Sequence, residues 1–399
     1  MSPRPLRILS IGSIYPPHDM GGGYEITWRS STRHLRDRGH AVRVLTTDFR
    51  LERPDGDEDP DVHRELRWYW RDHRFPRHGW RSRIALERHN AEALDRHLRE
   101  HRPERVCWWA MGGMSLALIE RVRRAGIPAV GVVGDEWLRW APGRDLWTRP
   151  FRGRPRLAGL AEGITGLPAR AGVDEAATWL FNSEHVRANA LAAGMSFPRS
   201  GVLHPGIDED LFRPVAARPW GWRLLYVGRL DPRKGVELAI EALATLPEEA
   251  GLTLQGDGDP AYVEELTRRA RQLGVEDRLR FARQPRERLR EVYGEADVVL
   301  FPVQWEEPWG LVPLEAMAVG RPVVATGTGG SAEYLNDGEN CLLYEPRDSA
   351  EALASAVRRL AAEEGLRSRL CAAGAETAAT FTERRYNEGI ADALETARS

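Results

Sequence analysis

Short apolar segments alternate along the chain with stretches whose apolar residues recur at helical spacing. In the first half, the apolar run Leu6–Ile14 precedes the helical pattern of Tyr24–Arg38, and this alternation continues. Strands separated by helices of about 10–15 residues indicate βαβ units and a parallel sheet. The predicted strands of the first half are Leu6–Ile14, Ala41–Thr46, Val106–Trp109, Pro128–Val133 and Thr178–Phe181.

The alternation starts again in the second half, after the segment Arg213–Trp222, whose two prolines and glycine indicate a linker. We therefore expect an α/β protein with two doubly wound, Rossmann-like domains, covering residues 1–214 and 215–381, and a cleft between them. Predicted strands are Arg223–Val227, Leu252–Gln255, Arg278–Phe281, Asp297–Phe301 and Pro322–Ala325, and predicted terminal helices are Ala350–Ala362, Leu366–Ala379 and Thr382–Ala397.

Charge and cysteine content exclude several classes of protein. The 57 basic and 59 acidic residues give a formal net charge of −2, which argues against nucleic acid as a partner. The three cysteines, Cys107, Cys341 and Cys371, are widely spaced and form no CxxC pair, so neither a disulfide framework nor a metal site is predicted. The chain contains one lysine, Lys234, so this side chain is the one candidate for Schiff-base chemistry.

The chain shows no signal for membrane insertion or export. No apolar run reaches the roughly 18 residues that span a bilayer. The first apolar run, Leu6–Ile14, is followed by no small-residue cleavage site, and we interpret it as a strand rather than a signal peptide. The expected compartment is the cytoplasm, and the sequence predicts no oligomeric state.

Two glutamates follow one predicted strand, in the segment Pro302–Ala318 (PVQWEEPWGLVPLEAMA). Glu307 and Glu315 are eight residues apart, and two carboxylates at a strand end suit the vicinal hydroxyls of a sugar and a ribose. The amides of Leu311 and Val312 would be unpaired at a helix start, where an anion binds readily. Alternatively, Glu307 is a surface or capping residue and Glu315 an exposed helical one.

A second candidate site is the segment Leu224–Glu237 (LLYVGRLDPRKGVE), which runs from a strand into a helix. Arg229 and Lys234 can converge on one phosphate group, with the amides of a helix end behind them. The alternative is that both side chains are solvated cations. The position of the chain's one lysine, beside Gly235 and after a strand, favours phosphate binding, because lysine carries a compact charge that suits a phosphate.

A third candidate is the glycine run Gly21–Gly23, after the first strand, where backbone can approach a ligand closely. The run lacks the GxGxxG spacing of a dinucleotide fingerprint, and a flexible turn is an equal alternative.

These segments together resemble the retaining glycosyltransferases of family 4. The resemblance is carried by GRLDPRKG, EPWGLVPLEAMAVGRPVVAT and GGSAEYLNDGENCLLYEP, with support from FNSEHVR and HPGIDEDLF, and it is strongest between Leu224 and Pro346. It implies the GT-B fold, with the final helix, about 382–399, packing back on the N-terminal domain. It also implies transfer from a nucleotide sugar, commonly a UDP-hexose or UDP-N-acetylhexosamine, to an acceptor hydroxyl of a natural product, glycan or glycolipid precursor.

The resemblance also implies roles for individual residues. Arg229 and Lys234 would hold the donor diphosphate, Glu307 the donor sugar and Glu315 the ribose. The amides of Leu311 and Val312 would cap a phosphate, and Gly21–Gly23 would close over the donor. The family generally needs neither metal nor other cofactor, because cations and helix ends stabilise the charge that develops on the leaving diphosphate.

The chain departs from the family pattern at one position. Many members carry a histidine after the strand that corresponds to Ile127–Val133, where this sequence has Gly134, followed by Asp135 and Glu136. Asp135 is a candidate for hydrogen bonding near the anomeric centre or the acceptor, and a helix N-cap is its alternative. Candidate acceptor-binding residues in the following stretch are Glu136, Trp137 and Trp140, with Trp147 further along.

The Arg-rich segment His63–His89 contains Trp68, Trp70 and Trp80. Its aromatic rings could stack on an acceptor, an Arg–Trp face could sit at a membrane surface, and a solvated helix pair docked by tryptophans is the plainer alternative.

Two other functions stay open from the sequence. One is a GT-B-fold sugar-nucleotide epimerase or a phosphorylase, and the other is a catalytically inactive nucleotide-binding protein. A pyridoxal-dependent phosphorylase would need its Schiff base at Lys234, whereas that loop suits a diphosphate.

Overall fold

The computed structural model describes residues 4–18, 22–52, 54, 56–70 and 75–398. The chain forms two compact units. The first comprises Met1–His204 and Tyr386–Ser399, and the second comprises Pro205–Arg385. The sequence suggested a division at residue 214 and a return to the first domain at residue 382.

The first unit is built on a parallel sheet of seven strands, in the order β3-β2-β1-β4-β5-β6-β7. Its strand β5, Ala129–Val133, has no polar side chain and is buried at all five residues, because helices cover both faces of a parallel sheet. Its elements in chain order are β1 Arg7–Ile11, α1 Gly23–Asp37, β2 Ala41–Thr47, β3 Val62–Leu66, α2 Trp80–His101, β4 Arg105–Trp108, α3 Ala117–Arg124, β5 Ala129–Val133, α4 Trp137–Arg144, α5 Pro155–Thr165, β6 Thr178–Phe181, α6 Glu184–Ala192 and β7 Ser200–Val202.

The second unit contains a parallel sheet of six strands, in the order β10-β9-β8-β11-β12-β13. Its elements are β8 Arg223–Val227, α7 Val236–Ala244, β9 Gly251–Gln255, α8 Pro260–Gln272, β10 Leu279–Ala282, α9 Leu289–Glu295, β11 Val298–Phe301, α10 Leu311–Val319, β12 Val323–Ala325, β13 Leu342–Leu343, α11 Ala350–Ala362 and α12 Glu364–Thr380, and the final helix is α13, Glu383–Thr396.

The strand order of each sheet reverses at one point. In the second unit this point lies between β8 and β11, from which the chain proceeds outward in opposite directions. The loops that follow two such strands diverge and leave a crevice at the carboxyl ends, which is where open α/β sheets bind ligands. The segments that contain Lys234 and Glu307 are the loops after β8 and β11.

Most of helix α13 completes the core of the first unit. Tyr386, Ile390 and Leu394 are buried in one cluster with Ile8 and Trp28. Ser31 Oγ donates a 2.6 Å hydrogen bond to Asn387 Oδ1, and Arg105 Nε donates to the Leu394 carbonyl at 2.9 Å. The first unit therefore depends on both ends of the chain.

The predicted linker Arg213–Trp222 lies within the second unit. The Val215 amide donates to the Val319 carbonyl at 3.1 Å, and the buried Arg321 guanidinium donates to the Ala216 carbonyl at 3.1 Å. Trp220 packs against the core of the same unit and receives the Arg367 guanidinium over its ring. The segment that contains the two prolines is therefore packed on the second unit and is not a free linker.

Across the described part of the chain, no helix combines the length and the apolar composition that crossing a bilayer requires.

We expect Ile390→Ala to lower the free energy of unfolding of the first unit by about 2–5 kcal/mol, because it leaves a cavity in a fully buried cluster. Urea titration followed by far-UV circular dichroism measures this loss. The control is Asp392→Ala on the same helix, whose side chain is 70% exposed and should change stability little. Equal stability of the Ile390 variant and the native chain would contradict this account of α13.

Candidate functional site

The loop after β8 is shaped by Asp231. Its side chain accepts the Arg233 amide at 3.0 Å and pairs with the Arg233 guanidinium at 2.8 Å, which caps the 3₁₀ turn Pro232–Lys234. The hydrogen bond from Arg233 lowers the pKa of Asp231 to about 2. Arg229 is 42% exposed and its Nε lies 3.8 Å from the same carboxylate. The loop thus keeps one carboxylate ionised between two guanidinium groups.

Lys234 contacts the loop after β11, where Arg233 also lies over the Trp305 ring, 4.8 Å from its centroid. Its Nζ donates a 2.6 Å hydrogen bond to Glu307 Oε2, and Trp305 Nε1 donates to the same oxygen at 2.8 Å. The Lys234 ammonium also lies over the Trp305 ring, 5.3 Å from its centroid. Neither bond uses Glu307 Oε1. The arrangement is a partly buried ion pair in which an indole supports both charges.

Two glycines make this approach possible. Gly235 has φ of +70°, and a Cβ there would lie 1.9 Å from the Pro302 carbonyl oxygen, so the turn passes directly against the end of β11. Gly329, after β12, has φ of +61° and would place a Cβ 2.4 Å from the Glu307 carbonyl oxygen. The Gly330 amide donates to that carbonyl at 2.7 Å. Three loops therefore fix the position of Glu307.

Helix α10 begins beside Glu307. Gly310 precedes it with φ of +88°, where a Cβ would lie 2.9 Å from the Phe301 ring, and no side chain caps the helix. Leu311 and Val312 are its first two residues, and Pro313, the third, has no amide hydrogen. The amides of Leu311 and Val312 have no acceptor within the helix, as the sequence predicted.

Glu315 lies further along α10 and is 4% exposed. Tyr293 donates a 2.7 Å hydrogen bond to Glu315 Oε2, and Arg286 lies 3.4 Å from Oε1. Burial raises the pKa of Tyr293 well above its usual range, so this phenol keeps its proton. Arg286 follows β10, so the loop after that strand reaches Glu315.

The structure places Arg229, Lys234, Glu307 and Glu315 at one edge of the second sheet. Glu307 and Glu315 are both buried, which excludes the exposed alternatives. They have separate partners, however, and Arg229 and Lys234 are paired with different carboxylates.

The sequence reasoning missed the partners of these residues. These partners are Trp305, Tyr293, Arg286 and Gly329, and none of them belongs to a motif of recognisable spacing. Trp305 was the one partner that the sequence could have indicated, because it lies two residues before Glu307.

In the first unit, the glycine run precedes α1. Gly21 lies outside the described residues. Gly22 is the residue before α1, with extended backbone, and Gly23 is the first residue of that helix. The run therefore ends in a helix start after β1, at the carboxyl edge of the first sheet.

Asp135 follows β5 and caps the next turn. Its Oδ1 accepts the Trp137 amide at 2.8 Å, so the capping alternative describes its contact in the structure. Burial raises the pKa of Asp135 to about 6. Gly134 leaves room for the Tyr24 ring, since a Cβ at Gly134 would lie 2.5 Å from that ring. Tyr24 thus occupies the space that a histidine at position 134 would need.

The candidate acceptor residues after Asp135 are mostly packed inward. Trp137 is fully buried against Trp179, which leaves its ring no free face for an acceptor. Trp140 is partly buried and packs edge-on against Phe75. Glu136 accepts a 2.8 Å hydrogen bond from Asn189 Nδ2. These positions hold α4 in place.

The tryptophans of segment His63–His89 have different environments. Trp68 is buried and donates to the Gly112 carbonyl at 2.8 Å, and Trp70 packs 4.9 Å from it. Trp80, at the start of α2, is 54% exposed. The expected helix pair is wrong, because the described part of this segment contains the strand β3 and the helix α2; Trp68 and Trp70 pack the chain that follows β3 against the first unit.

Among the residues that the structure describes, one group of side chains has a spacing that suits a metal ion: His63 and Glu65 on β3 and His97 on α2, with ligand atoms within 4.8 Å of one another. Arg96 pairs with Glu65, and Arg43 lies 3.4 Å from His97 Nδ1. Guanidinium groups therefore already balance the carboxylate in this cluster.

Comparison with known proteins identifies relatives of both units. The family described as "Glycosyl transferases group 1" matches residues 208–377, and "Glycosyltransferase Family 4" matches residues 21–211. The D-inositol 3-phosphate glycosyltransferase of Mycobacteroides abscessus is 35% identical over 228 residues, 52% of this chain and 50% of that protein. The chain thus spans about half the length of such curated relatives. The enzyme of the same name from Mycobacterium marinum is 28% identical over 393 residues, 90% of this chain and 78% of that protein.

Solved structures with the same fold cover nearly the whole chain. Sucrose-phosphate synthase from Thermosynechococcus elongatus superposes with a TM-score of 0.74 at 22% identity, covering 96% of this chain and 97% of that one. WaaG, a glycosyltransferase of lipopolysaccharide biosynthesis, gives a TM-score of 0.67 at 23% identity, covering 98% and 100%. These similarities establish the two-domain GT-B architecture that the sequence predicted.

We expect Asp135→Asn to stabilise the first unit above pH 6, by about 1–3 kcal/mol, because the raised pKa makes ionised Asp135 unfavourable in the folded state. Asp135 binds its proton more tightly in the folded chain than in the unfolded chain. The free energy of unfolding of the native protein therefore falls as pH rises from about 4 through 6. The advantage of the variant should therefore disappear near pH 4.

Urea titrations of both proteins between pH 4 and 8 measure this difference. The control Asp259→Asn changes an exposed carboxylate that caps α8, and it reports the same substitution at another helix start. A constant difference between native protein and Asp135→Asn at every pH would refute the assignment.

Proposed function

Because the chain belongs to the glycosyltransferases of family 4, we propose that it transfers a sugar from a nucleotide sugar to an acceptor hydroxyl, with retention of anomeric configuration. The proposed donor is a UDP-hexose or UDP-N-acetylhexosamine, and the proposed acceptor is a natural product or a precursor of a glycan or glycolipid. The observation that carries the proposal is the Lys234–Glu307 pair at the strand-order reversal between β8 and β11.

The donor diphosphate has positive partners at this edge. Arg229 and Lys234 belong to the loop after β8, and the unpaired amides of Leu311 and Val312 open α10 after β11. A helix N-terminus and two cations provide charge-assisted hydrogen bonds to phosphate oxygens. We therefore assign the diphosphate to the space between these two loops.

Glu307 is the proposed partner of the donor sugar. Its Oε2 is occupied by Lys234 and Trp305, and its Oε1, which neither bond uses, can accept a hydrogen bond from a sugar hydroxyl. Because Lys234 bonds the same carboxylate, the sugar and the phosphate would be held by one connected group. This connection would fix the orientation of the sugar relative to the diphosphate.

The nucleoside is assigned to the β9 and β10 side of the crevice. A hollow there is lined by Leu230, the turn Gly256–Gly258 and Ala282. The loop after β10 continues to Arg286, which contacts Glu315. A base in this hollow would place its ribose toward Glu315, whose carboxylate is already oriented by Tyr293. The four parts of the donor then follow one continuous path along the sheet edge.

The chemistry needs no nucleophile from the enzyme. As the bond from the anomeric carbon to the phosphate oxygen breaks, negative charge grows on the diphosphate, and Arg229, Lys234 and the α10 amides stabilise it. The anomeric carbon becomes oxocarbenium-like, and the acceptor hydroxyl attacks it from the face that the diphosphate leaves. The leaving phosphate oxygen takes the proton of that hydroxyl. We propose that these cations and amides serve in place of a metal ion.

On the first unit, Asp135 is our candidate for a hydrogen bond to the acceptor. It follows β5 at the carboxyl edge of that sheet, and its pKa near 6 leaves it able to exchange a proton near neutral pH.

The contacts of Lys234 argue against a pyridoxal-dependent phosphorylase. A Schiff base requires a neutral, accessible amine, whereas Lys234 donates to a carboxylate at 2.6 Å and is 19% exposed. An epimerase and an inactive nucleotide-binding protein are distinguished by products. Incubation with UDP-sugars, with and without acceptors that include D-inositol 3-phosphate, should yield glycosylated acceptor by mass spectrometry only when acceptor is present. Release of an altered free sugar from donor alone would identify an epimerase.

Lys234→Ala and Glu307→Ala should each lower turnover at least about 100-fold, because each removes a group that contacts the reacting part of the donor. Circular dichroism and thermal unfolding show whether the variants fold, and Glu307→Gln provides a substitution of equal size. Glu306→Ala is the matched control, since this neighbour is 56% exposed and pairs with Arg347. Turnover like that of the native enzyme in both site variants would overturn the assignment of the site.

Amine-selective labelling offers a test that is independent of turnover. Lys234 is the single lysine, so labelling in the interior of the chain reports this side chain alone. UDP-sugar should slow its modification at least about tenfold, since a bound diphosphate shields the ammonium. Peptide mass spectrometry measures the labelled fraction, and the amino terminus is the internal control. An unchanged rate at saturating UDP-sugar would contradict the placement of the diphosphate.

A further inference from the structure

The most exposed large apolar side chains of the described residues are concentrated in one region of the first unit. Leu157, Leu160 and Ile164 on α5 are 52%, 61% and 75% exposed, and Trp80 at the start of α2 is 54% exposed. The Trp80 ring lies 6.0 Å from Phe151, four residues before the start of α5, and Phe151 packs in one cluster with Ala158 of α5. Helix α5 and Trp80 therefore form one surface, which we call the α5 surface.

Helix α5 is oriented opposite to an ordinary surface helix. Its small residue Ala158 is fully buried, and Ala161 packs partly against the same cluster, while the larger Leu157, Leu160 and Ile164 face outward. Their spacing of three and four residues places them in one stripe along the helix. Large apolar residues on the exposed side of a helix indicate that this side contacts an apolar partner.

Positive charge surrounds this stripe. Arg149, Arg152, Arg154 and Arg156 are all exposed, and no ion pair among the described residues involves them. The one acidic residue of α5, Glu162, is turned toward the protein, where it contacts Arg124 and accepts the Ala169 amide at 2.9 Å. In a chain of net charge −2, the α5 surface is a local concentration of cations.

A pocket beside the start of α5 also combines positive charge with apolar side chains. Arg152, Arg154 and Arg170 line it together with the apolar residues Phe151 and Met195, and its one carboxylate, Asp174, accepts hydrogen bonds from Ser196. Guanidinium groups at the edge of an apolar hollow suit a phosphate group attached to hydrocarbon. Trp80 fits the same boundary, because its ring is amphipathic and the Arg83 guanidinium lies over it at 5.2 Å.

We propose that the α5 surface docks on a bilayer that contains anionic phospholipids, with α5 lying in the plane of the interface. Leu157, Leu160 and Ile164 would enter the boundary between headgroups and acyl chains, and the surrounding arginines would contact lipid phosphates. The surrounding arginines have no acidic partner among the described residues, and this uniform positive charge is complementary to the uniformly negative surface of such a bilayer. The proposal does not depend on the identity of the donor.

Vesicle co-sedimentation of the full chain tests the proposal. Vesicles of phosphatidylcholine with about one third phosphatidylglycerol should bind the protein at least about tenfold more tightly than pure phosphatidylcholine, and high salt should weaken this binding. Equal binding to both vesicles, or no binding to either, would overturn the proposal.

Two variants separate the apolar and the charged contributions. A serine variant and a glutamine variant should each lower the bound fraction at least about tenfold. The serine variant carries Leu157→Ser, Leu160→Ser and Ile164→Ser, and the glutamine variant carries Arg152→Gln, Arg154→Gln and Arg156→Gln. The matched control, Leu191→Ser with Phe281→Ser, removes exposed apolar side chains elsewhere and should bind like the native protein. Thermal unfolding verifies that each variant is folded.

The alternative of a protein partner has a distinct result. If the α5 surface binds a second copy of the chain, the serine variant will abolish self-association in analytical ultracentrifugation without changing vesicle binding. That outcome would refute the lipid assignment, as would vesicle binding of the serine variant that equals the native value.

Discussion

The ion pair between Lys234 and Glu307 is the contact on which the arrangement of the second unit's ligand edge depends. It joins loops that follow β8 and β11, the two strands between which the sheet order reverses. Burying either charge alone would be costly, so each requires the other. The backbone allows the pair only because Gly235 and Gly329 let neighbouring loops pass within contact distance. The pair is compatible with the proposed diphosphate site, because an ammonium carries three donors and Glu307 occupies one.

Much of the fold follows from the sequence because the central strands are buried on both faces. The four residues of Val298–Phe301 are all apolar, and the run predicts the strand almost to the residue. The missed strands, β3, β7 and β13, all lie at sheet edges, where one side is open to solvent. Val62–Leu66 contains three polar residues, and Leu342–Leu343 is only two residues long. Neither has the periodicity that marks a strand.

The position of the candidate site residues at one sheet edge was predictable, but their side-chain contacts were not. Spacing places Arg229, Lys234, Glu307 and Glu315 after adjacent strands, but it does not specify side-chain partners, which depend on contacts between distant segments. Trp305 and Tyr293 were missed for this reason. Trp137, in the stretch after Asp135, shows the opposite error: it was a candidate acceptor residue, whereas its complete burial against Trp179 gives it a packing role. Exposure, which also distinguishes Leu160 from Ala158 on α5, is a property of the folded chain.

The return of α13 to the first unit has a consequence for synthesis on the ribosome. The second unit is a continuous stretch of chain, so its sheet can close as soon as Arg385 has emerged. Most of the first unit leaves the ribosome earlier but lacks Tyr386, Ile390 and Leu394 until the whole second unit has been synthesised. Ile8 and Trp28 must therefore remain partly uncovered while the second unit is made, so the first unit is completed after the second. During that interval the nascent chain exposes an apolar surface, and a truncation directly after Arg385 would damage the first unit rather than the second.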